Sequence, residues 1–278
     1  MTEKSPNTTS KQPDQNTAAQ TGIRAKAAVW LPAILTLLII LAAWQLFCMT
    51  GLLPAFMLPS PAAVIRALVT DFPTIFYHAR ISLTESLIGL GLGILLAFLM
   101  ATVMDRFRLM NRAFYPLLII TQTIPTIAIA PILVLWMGFG MAPKIALVVI
   151  TTFFPIAVGL LDGYRSVDED AVNLLRAMGA SRRQIFRHAK VPASLGHFFS
   201  GLKISASYAV VGAVVSEWLG GFEGLGVYMT RVKKAYAFDK MFAVIVVIIV
   251  ISLLLMLLVN VIRNLVMPWE KVQETAQH

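Results

Sequence analysis

Six stretches of this 278-residue chain, 28–49, 82–104, 114–138, 145–161, 198–219 and 241–262, are apolar over lengths near or beyond the roughly 20 helical residues that cross a hydrocarbon core about 30 Å thick. Inside lipid a backbone must satisfy its own hydrogen bonds, so such runs fold as helices. The composition points the same way: 58% of residues are hydrophobic and only 13% charged, with a mean hydropathy of +0.78, outside the balance of a soluble domain. The expected fold is an all-α, polytopic membrane protein with six transmembrane helices. Pro116, Pro125 and Pro131 interrupt the third span, Pro155 interrupts the fourth, and only the Gly138–Pro143 turn separates the two, so their boundaries are loosely defined.

Charge placement gives the topology. With the N-terminus in the cytoplasm, sixteen of the 23 Lys and Arg fall on inside segments and seven, Arg66, Arg80, Lys144, Arg231, Lys233, Lys234 and Lys240, fall outside. The positive-inside rule therefore places both termini in the cytoplasm. Because the cations cluster at the ends of apolar runs, the net charge of +9 reads as a topology signal and not as a nucleic-acid surface. The single cysteine, Cys48, excludes an intrachain disulfide, and no Cys/His cluster has metal-ligand spacing.

Residues 1–27 are polar, with almost no large apolar residue, and read as a disordered cytoplasmic tail. The six-helix membrane domain occupies 28–266, and 267–278 form a C-terminal cytoplasmic tail. The first apolar run is long enough to span and lacks a small-x-small cleavage site, so a cleavable signal peptide is not expected. Leu46-Phe47-Cys48 is a poor lipoprotein site because Phe47 is bulky.

Between the fourth and fifth spans lies a segment of about 35 residues, Asp162 to His197, far longer than neighbouring helices require. Asp168, Glu169 and Asp170 precede Ala171, Val172, Leu175 and Met178 at helical spacing, and acids suit a helix N-terminus. Gly179 sits where a left-handed cap would end that helix, and Ser181 with Gln184 forms a capping box opening a second one. Ile185, Phe186 and Ala189 supply the second helix with an apolar face, and Pro192 is expected to end it. Arg182, Arg183 and Arg187 would face water or a partner; an amphipathic hairpin resting on headgroups fits the same composition.

Read as NLLRAMGASRRQIFRHAKVP, residues 173–192 resemble the cytoplasmic "EAA" loop of permease subunits of binding-protein-dependent ABC importers. Gly179 and Pro192 match the family's Gly and Pro in spacing. Asn173 replaces the Glu, Leu174 and Leu175 the alanines, Ala189 the usual Ile, and Val191 precedes the proline. PTIAIAPILVLWMGFG (125–140) and SEWLGGFEGLGVYM (216–229) are similar to the sulfonate, nitrate, taurine and thiamine-precursor permeases, the second segment most of all to hydroxymethylpyrimidine permeases. The resemblance implies a type I ABC importer permease fold with a coupling-helix loop at about 164–196. It implies a homodimer in the bacterial inner membrane, two ABC ATPase subunits that carry ATP and Mg, and an extracytoplasmic substrate-binding protein, with no cofactor on this chain. ATPase coupling would fall to Asn173, Arg176, Ala177, Gly179, Ala180, Ser181, Arg182, Gln184, Phe186 and Pro192.

Two stripes of small residues recur every fourth position: Glu85, Gly89, Gly93, Ala97, Ala101 in span two and Gly201, Ser205, Ala209, Ala213, Glu217 in span five. Both permit close helix approach. With their acids at the outer ends, Glu85, Gly89, Gly93, Ser205, Ala209, Ala213, Glu217 and Trp218 are the pathway or gate residues the sequence offers. Glu85 has a plainer reading, an acid reaching interfacial water near Arg80. Gly220, Gly221, Gly224 and Gly226 lack the Lys-Ser/Thr of a P-loop and the strand of a Rossmann turn, so ATP must come from another chain. Trp218, Phe222, Tyr228 and Tyr236 suit either stacking on a flat substrate or anchoring at the membrane surface.

A membrane enzyme would need a catalytic motif, and Asp162-Gly163 lacks the rest of a headgroup-transferase signature; no Gly-x-Ser-Gly or His-Glu-x-x-His occurs. An ion-coupled secondary transporter would carry mid-membrane ionisable groups and repeated halves, whereas spans one, three and six lack central Asp, Glu, Lys or Arg. The expected function is thus a non-enzymatic transport subunit, with a pyrimidine thiamine precursor as favoured cargo and an alkanesulfonate, taurine or nitrate as the alternative.

Overall fold

The computed structural model describes residues 15–52, 54 and 57–269, with side chains from residue 31 onward. The described residues are helical or in turns. Helix α1 (Gln15–Met49) starts thirteen residues before the expected span, so residues 15–27, read from composition as tail, have helical backbone; residues 1–14 and 270–278 lie outside the described residues. Its apolar side chains from Leu31 to Leu41 are exposed, as a helix that meets lipid requires. Residues 1–63 and 64–278 form two separate units.

Within the larger unit, α3 (Phe72–Arg106), α6 (Met141–Arg165), α9 (Val191–Gly220) and α11 (Phe238–Val266) are the long apolar helices, preceded by the short α2 (Pro61–Thr70). α6 is central, packing along both α3 and α9. The small-residue stripes explain how. A Cβ on Gly89 would lie 2.5 Å from the Val148 side chain, one on Gly93 would strike Thr152 Oγ1, and one on Gly201 would strike the Pro155 carbonyl. Ser205 Oγ donates to the Thr152 carbonyl at 2.8 Å, closing the same seam. α6 contributes small residues of its own, because Cβ atoms on Gly159 and Gly163 would meet the His197 and Ser194 backbones at 2.7 and 2.5 Å. In lipid, where apolar burial gives helices little reason to associate, such backbone proximity supplies the packing energy. Leu90, Met104, Ile156, Leu160, Phe199, Val210 and Val259 fill the remaining core, while Leu253, Leu254, Leu257 and Leu258 of α11 face outward.

The third expected span is not a straight helix. It divides into α4 (Arg108–Thr123) and α5 (Thr126–Met137), whose axes meet at a 102° bend, so the described residues hold five span-length helices, or six if this bent pair is one span. Only Pro125 breaks the chain, because Ile124 ahead of it is forced into extended geometry, whereas Pro116, Pro131 and Pro155 are accommodated inside helices.

Proline also behaves unexpectedly at 192. Far from ending a helix, it lies in the first turn of α9, which is continuous with α8 (Arg182–Ile185) through a π-helical segment, Phe186–Lys190. Val191 N–H bonds to the Phe186 carbonyl, an i→i−5 step. The wider π turn makes room for the ring where an α turn would clash. The result is one helical rod of 39 residues from Arg182 to Gly220, about 58 Å long at 1.5 Å per residue.

Candidate functional site

Three regions of the larger unit carry chemistry beyond packing, and the first is the loop joining α6 to α9. Asp168 Oδ1 accepts from Asp170 N–H at 2.9 Å and caps α7 (Glu169–Ala177). Gly179, at φ +83°, ends it: Ala180 N–H reaches the Leu175 carbonyl and Gly179 N–H the Arg176 carbonyl, each at 2.9 Å, the paired bonds of a Schellman cap. Both halves of the expected capping box form, with Ser181 N–H donating to Gln184 Oε1 at 2.7 Å and Gln184 N–H to Ser181 Oγ at 3.4 Å. Asn173 accepts from Arg176 Nη1 at 3.0 Å within α7. Phe186 packs its ring at a tilt against Tyr164 of α6, centroids 5.2 Å apart, and Ile185 is buried, so the loop is braced against the helical body. Arg182 and Ala177 stay exposed, and Leu174 and Met178, one turn apart, are 63% and 75% exposed.

At the opposite end of α9 lies a buried polar cluster. Glu217 Oε1 accepts from Ser82 Oγ and Oε2 from Gly226 N–H, both at 2.6 Å, while Leu225 N–H donates to Ser82 Oγ at 2.8 Å. The N-terminus of α10 (Leu225–Lys234) thus holds a carboxyl group, and that group is the protein's own Glu217. Gly224 (φ +121°) and Gly226 are needed here because Cβ atoms would strike the Glu217 carboxylate and the Val214 carbonyl. The glycine-rich segment is a cradle for this side chain. Gly224 N–H also donates to His78 Nδ1 at 3.1 Å.

Glu85 does not reach interfacial water beside Arg80. It is 1% exposed and pairs at 2.6 Å with Lys144, itself buried and donating to the Glu223 carbonyl at 3.2 Å. Lys144, counted in the sequence among outer topology signals, is therefore an interior cation: a buried carboxylate without a counter-charge is far costlier than burying both. Tyr228 is likewise no stacking platform for a solute. Its ring is buried against His78, 5.4 Å between centroids, and its hydroxyl donates to Asp71 Oδ2 at 2.6 Å. Asp71 also pairs with Lys240 at 2.7 Å. The Lys240 contact first, then the Tyr228 hydrogen bond, hold the Asp71 carboxyl below its ordinary value, and burial followed by the Asp71 bond pushes the Tyr228 phenol up. Trp218, Phe222 and Tyr236 remain exposed, with Phe222 against Phe139.

The third region is a cavity of about 310 Å³ between the α4–α5 bend and the middles of α6 and α9. Thr121, Gln122 and Thr126 at the bend, Thr151 on α6 and Tyr208 on α9 give it its polar groups, and no charged side chain lines it. Thr121 and Thr151 donate their hydroxyls to their own helices, to Leu118 and Val148 carbonyls at 2.7 and 2.9 Å, which turns their oxygen lone pairs outward as acceptors. The sequence-derived pathway residues lie elsewhere: Gly89, Gly93, Ser205, Ala209 and Ala213 are packed in helix seams, and Glu85 and Glu217 form the buried cluster, with Trp218 beside it. Tyr208 and Gln122 are polar residues inside apolar spans, a signal that was present in the sequence but outweighed by the four-residue repeats.

The protein family described as binding-protein-dependent transport system inner membrane component matches residues 89–271. A formylaminopyrimidine transport permease protein of Halalkalibacterium halodurans is 37% identical over 219 residues, covering 78% of this chain and 88% of that protein. A taurine transport system permease protein of Escherichia coli is 27% identical over 241 residues, covering 84% of this chain and 88% of that one. Among solved structures, a chain of an amino acid ABC transporter superposes with a TM-score of 0.57 at 14% identity, covering 71% of this chain and 94% of that chain, a likeness of fold.

Proposed function

The chain belongs to the inner membrane components of binding-protein-dependent transport systems, the permease subunits of ABC importers, and we propose that within this family it carries a small, neutral, flat-ring solute of the aminopyrimidine class. The observation that carries the proposal is the uncharged cavity at the α4–α5 bend. Ligand cavities run from about 300 to 1,000 Å³, so one of about 310 Å³ suits a single small ring. Thr121 and Thr151 accept from exocyclic amines, the Gln122 amide and Tyr208 hydroxyl donate to ring nitrogens, and the Tyr208 ring offers a stacking face. A sulfonate in that cavity would meet no cation. The 37% identity to a permease named for formylaminopyrimidine supports the same cargo. Exposed Arg231, Lys233 and Lys234 on α10 favour the anionic alternative only at the surface, where they equally suit an acidic patch on a docking binding protein.

In this reading two copies of the chain form the pathway in the inner membrane with both termini cytoplasmic. Two ATPase chains, holding ATP and Mg, dock on the α7–α8 loop, and a substrate-binding protein delivers solute from the other side. Exposed Leu174 and Met178 beside Arg176 offer the ATPase an apolar contact with a basic edge. Because α8, the π segment and α9 are one rod, displacement of the loop is carried as rigid-body motion to Glu217 and the α10 cradle. The test is growth of a thiamine-synthesis mutant on limiting pyrimidine, with the intact gene, without it, and with Tyr208→Ala or Gln122→Ala. The intact gene should rescue and the variants should not, while still co-purifying with the ATPase. Rescue of sulfur-limited growth alone would assign a sulfonate and refute the ring.

A further inference from the structure

Where α3 turns into α4, a second hollow of about 860 Å³ opens beneath the α7–α8 loop. Its wall is strongly basic: Arg106 and Arg108 from the turn, Arg176, Arg182 and Arg183 from the loop, and Lys190 from the π segment, against the single carboxylate of Asp105. Lys190 already pairs with Asp105 at 2.6 Å, so the five guanidinium groups are left without a carboxylate in the pocket. Like charges do not gather round a cavity without cost, and five arginines converging on one space call for an anion with several oxygens, which guanidinium forks bind well.

The setting identifies its source. Arg106 is the last residue of a membrane-spanning helix, and Phe107 and Leu109, which alternate with the two turn arginines, are 55% and 73% exposed. An exposed aromatic, its ring under the Arg106 guanidinium at 5.6 Å, and an exposed leucine beside Arg108 form the pattern of a segment at the boundary of hydrocarbon and headgroups. Half-buried Phe186 and buried Ile185 give the pocket an apolar floor beneath its basic rim. A ligand meeting both must carry a phosphate and an apolar body. We infer that the pocket binds the phosphate headgroup of an acidic phospholipid, such as phosphatidylglycerol or cardiolipin, placing a lipid between the end of α3 and the α7–α8 loop.

The complex of the full chain with its ATPase, purified in detergent and stripped of lipid, is titrated with phosphatidylcholine, phosphatidylglycerol or cardiolipin and read by native mass spectrometry. Acidic lipids should stay bound where phosphatidylcholine is lost, and rising salt should release them. Each cation at such a surface is worth about fivefold in affinity, so Arg106→Ala with Arg108→Ala should weaken acidic-lipid binding about 30-fold. The salt titration on the unaltered protein reads the same electrostatics should that variant assemble poorly. Three results overturn the inference: equal retention of all headgroups; displacement by inorganic phosphate at the lipid's own concentration, which makes the ligand a soluble phosphate; or binding to the chain alone that disappears once the ATPase joins, which makes the occupant a partner side chain.

Discussion

Removing the Lys144 ammonium while keeping its stem, as Lys144→Met does, isolates the electrostatics of the buried cluster. The side chains of Lys144 and Glu85 are 5% and 1% exposed, so neither charge is compensated by water. Glu85 Oε1 would lose its 2.6 Å partner, leaving the buried carboxyl beside that of Glu217 with no ammonium to balance it. Breaking one side of such a pair costs about 3–5 kcal/mol, and the lost bond to the Glu223 carbonyl adds about 1 kcal/mol at most. At about 2–4 °C per kcal/mol for chains of similar length, the detergent-purified protein should melt roughly 6–24 °C lower by fluorescence-detected size-exclusion chromatography. Replacing both partners, Glu85→Leu with Lys144→Met, should recover most of that loss, because an apolar pair has no charge to desolvate. A single variant that melts with the parent, or a double variant worse than the sum of its singles, would refute the closed ion pair.

The remaining tests probe the other regions. Gly179→Val places a β-branched residue at φ +83°, a cost of about 1–2 kcal/mol or more, and should abolish ATP-driven uptake in vesicles while membrane insertion stays normal. Gly93→Leu and Ala209→Leu overfill the α3–α6 seam and the core around α9, costing about 1–3 kcal/mol each, read as lower melting temperature and yield. Since Lys240 and Tyr228 depress the Asp71 carboxyl in the folded state, that contact contributes fully above its ordinary value of 3.8 and is lost as pH falls through the depressed one; Asp71→Asn should flatten the acid limb of a melting-temperature profile below about pH 4 and lower the plateau above it.

Local rules made the α7–α8 loop legible. A cap, a left-handed glycine and a capping box are decided within a few residues of chain, so Asp168, Gly179, Ser181 and Gln184 could be read before any packing was known. The stripes were legible as close-approach faces for the same reason, since period alone puts Gly89 and Gly93 on one side of α3. Their partner was not, because nothing in a period names the helix that it meets. The buried cluster lay further out of reach: Glu85 and Lys144 are 59 positions apart and Ser82 and Glu217 are 135 apart, and only the tertiary fold tells an interior ion pair from two acids and a lysine at a membrane surface.

Proline shows where a local rule needs its surroundings. Pro116, Pro125, Pro131 and Pro155 interrupt the two middle spans, and steric reasoning treats each as a break, yet of these only Pro125 is one. At Pro155 the helix runs on, with the Pro155 carbonyl packed against Gly201 of α9. At Pro192 the π segment widens the turn instead. At Pro125 the helix does break, and Ile124 before it takes the extended geometry that proline imposes. The consequence is functional. A straight third span would have filled the space beside α6 and α9, whereas a 102° bend turns α5 aside and leaves Thr121, Gln122 and Tyr208 around a cavity. The bend at Pro125 is thus what leaves the cavity that the proposed ring solute would occupy.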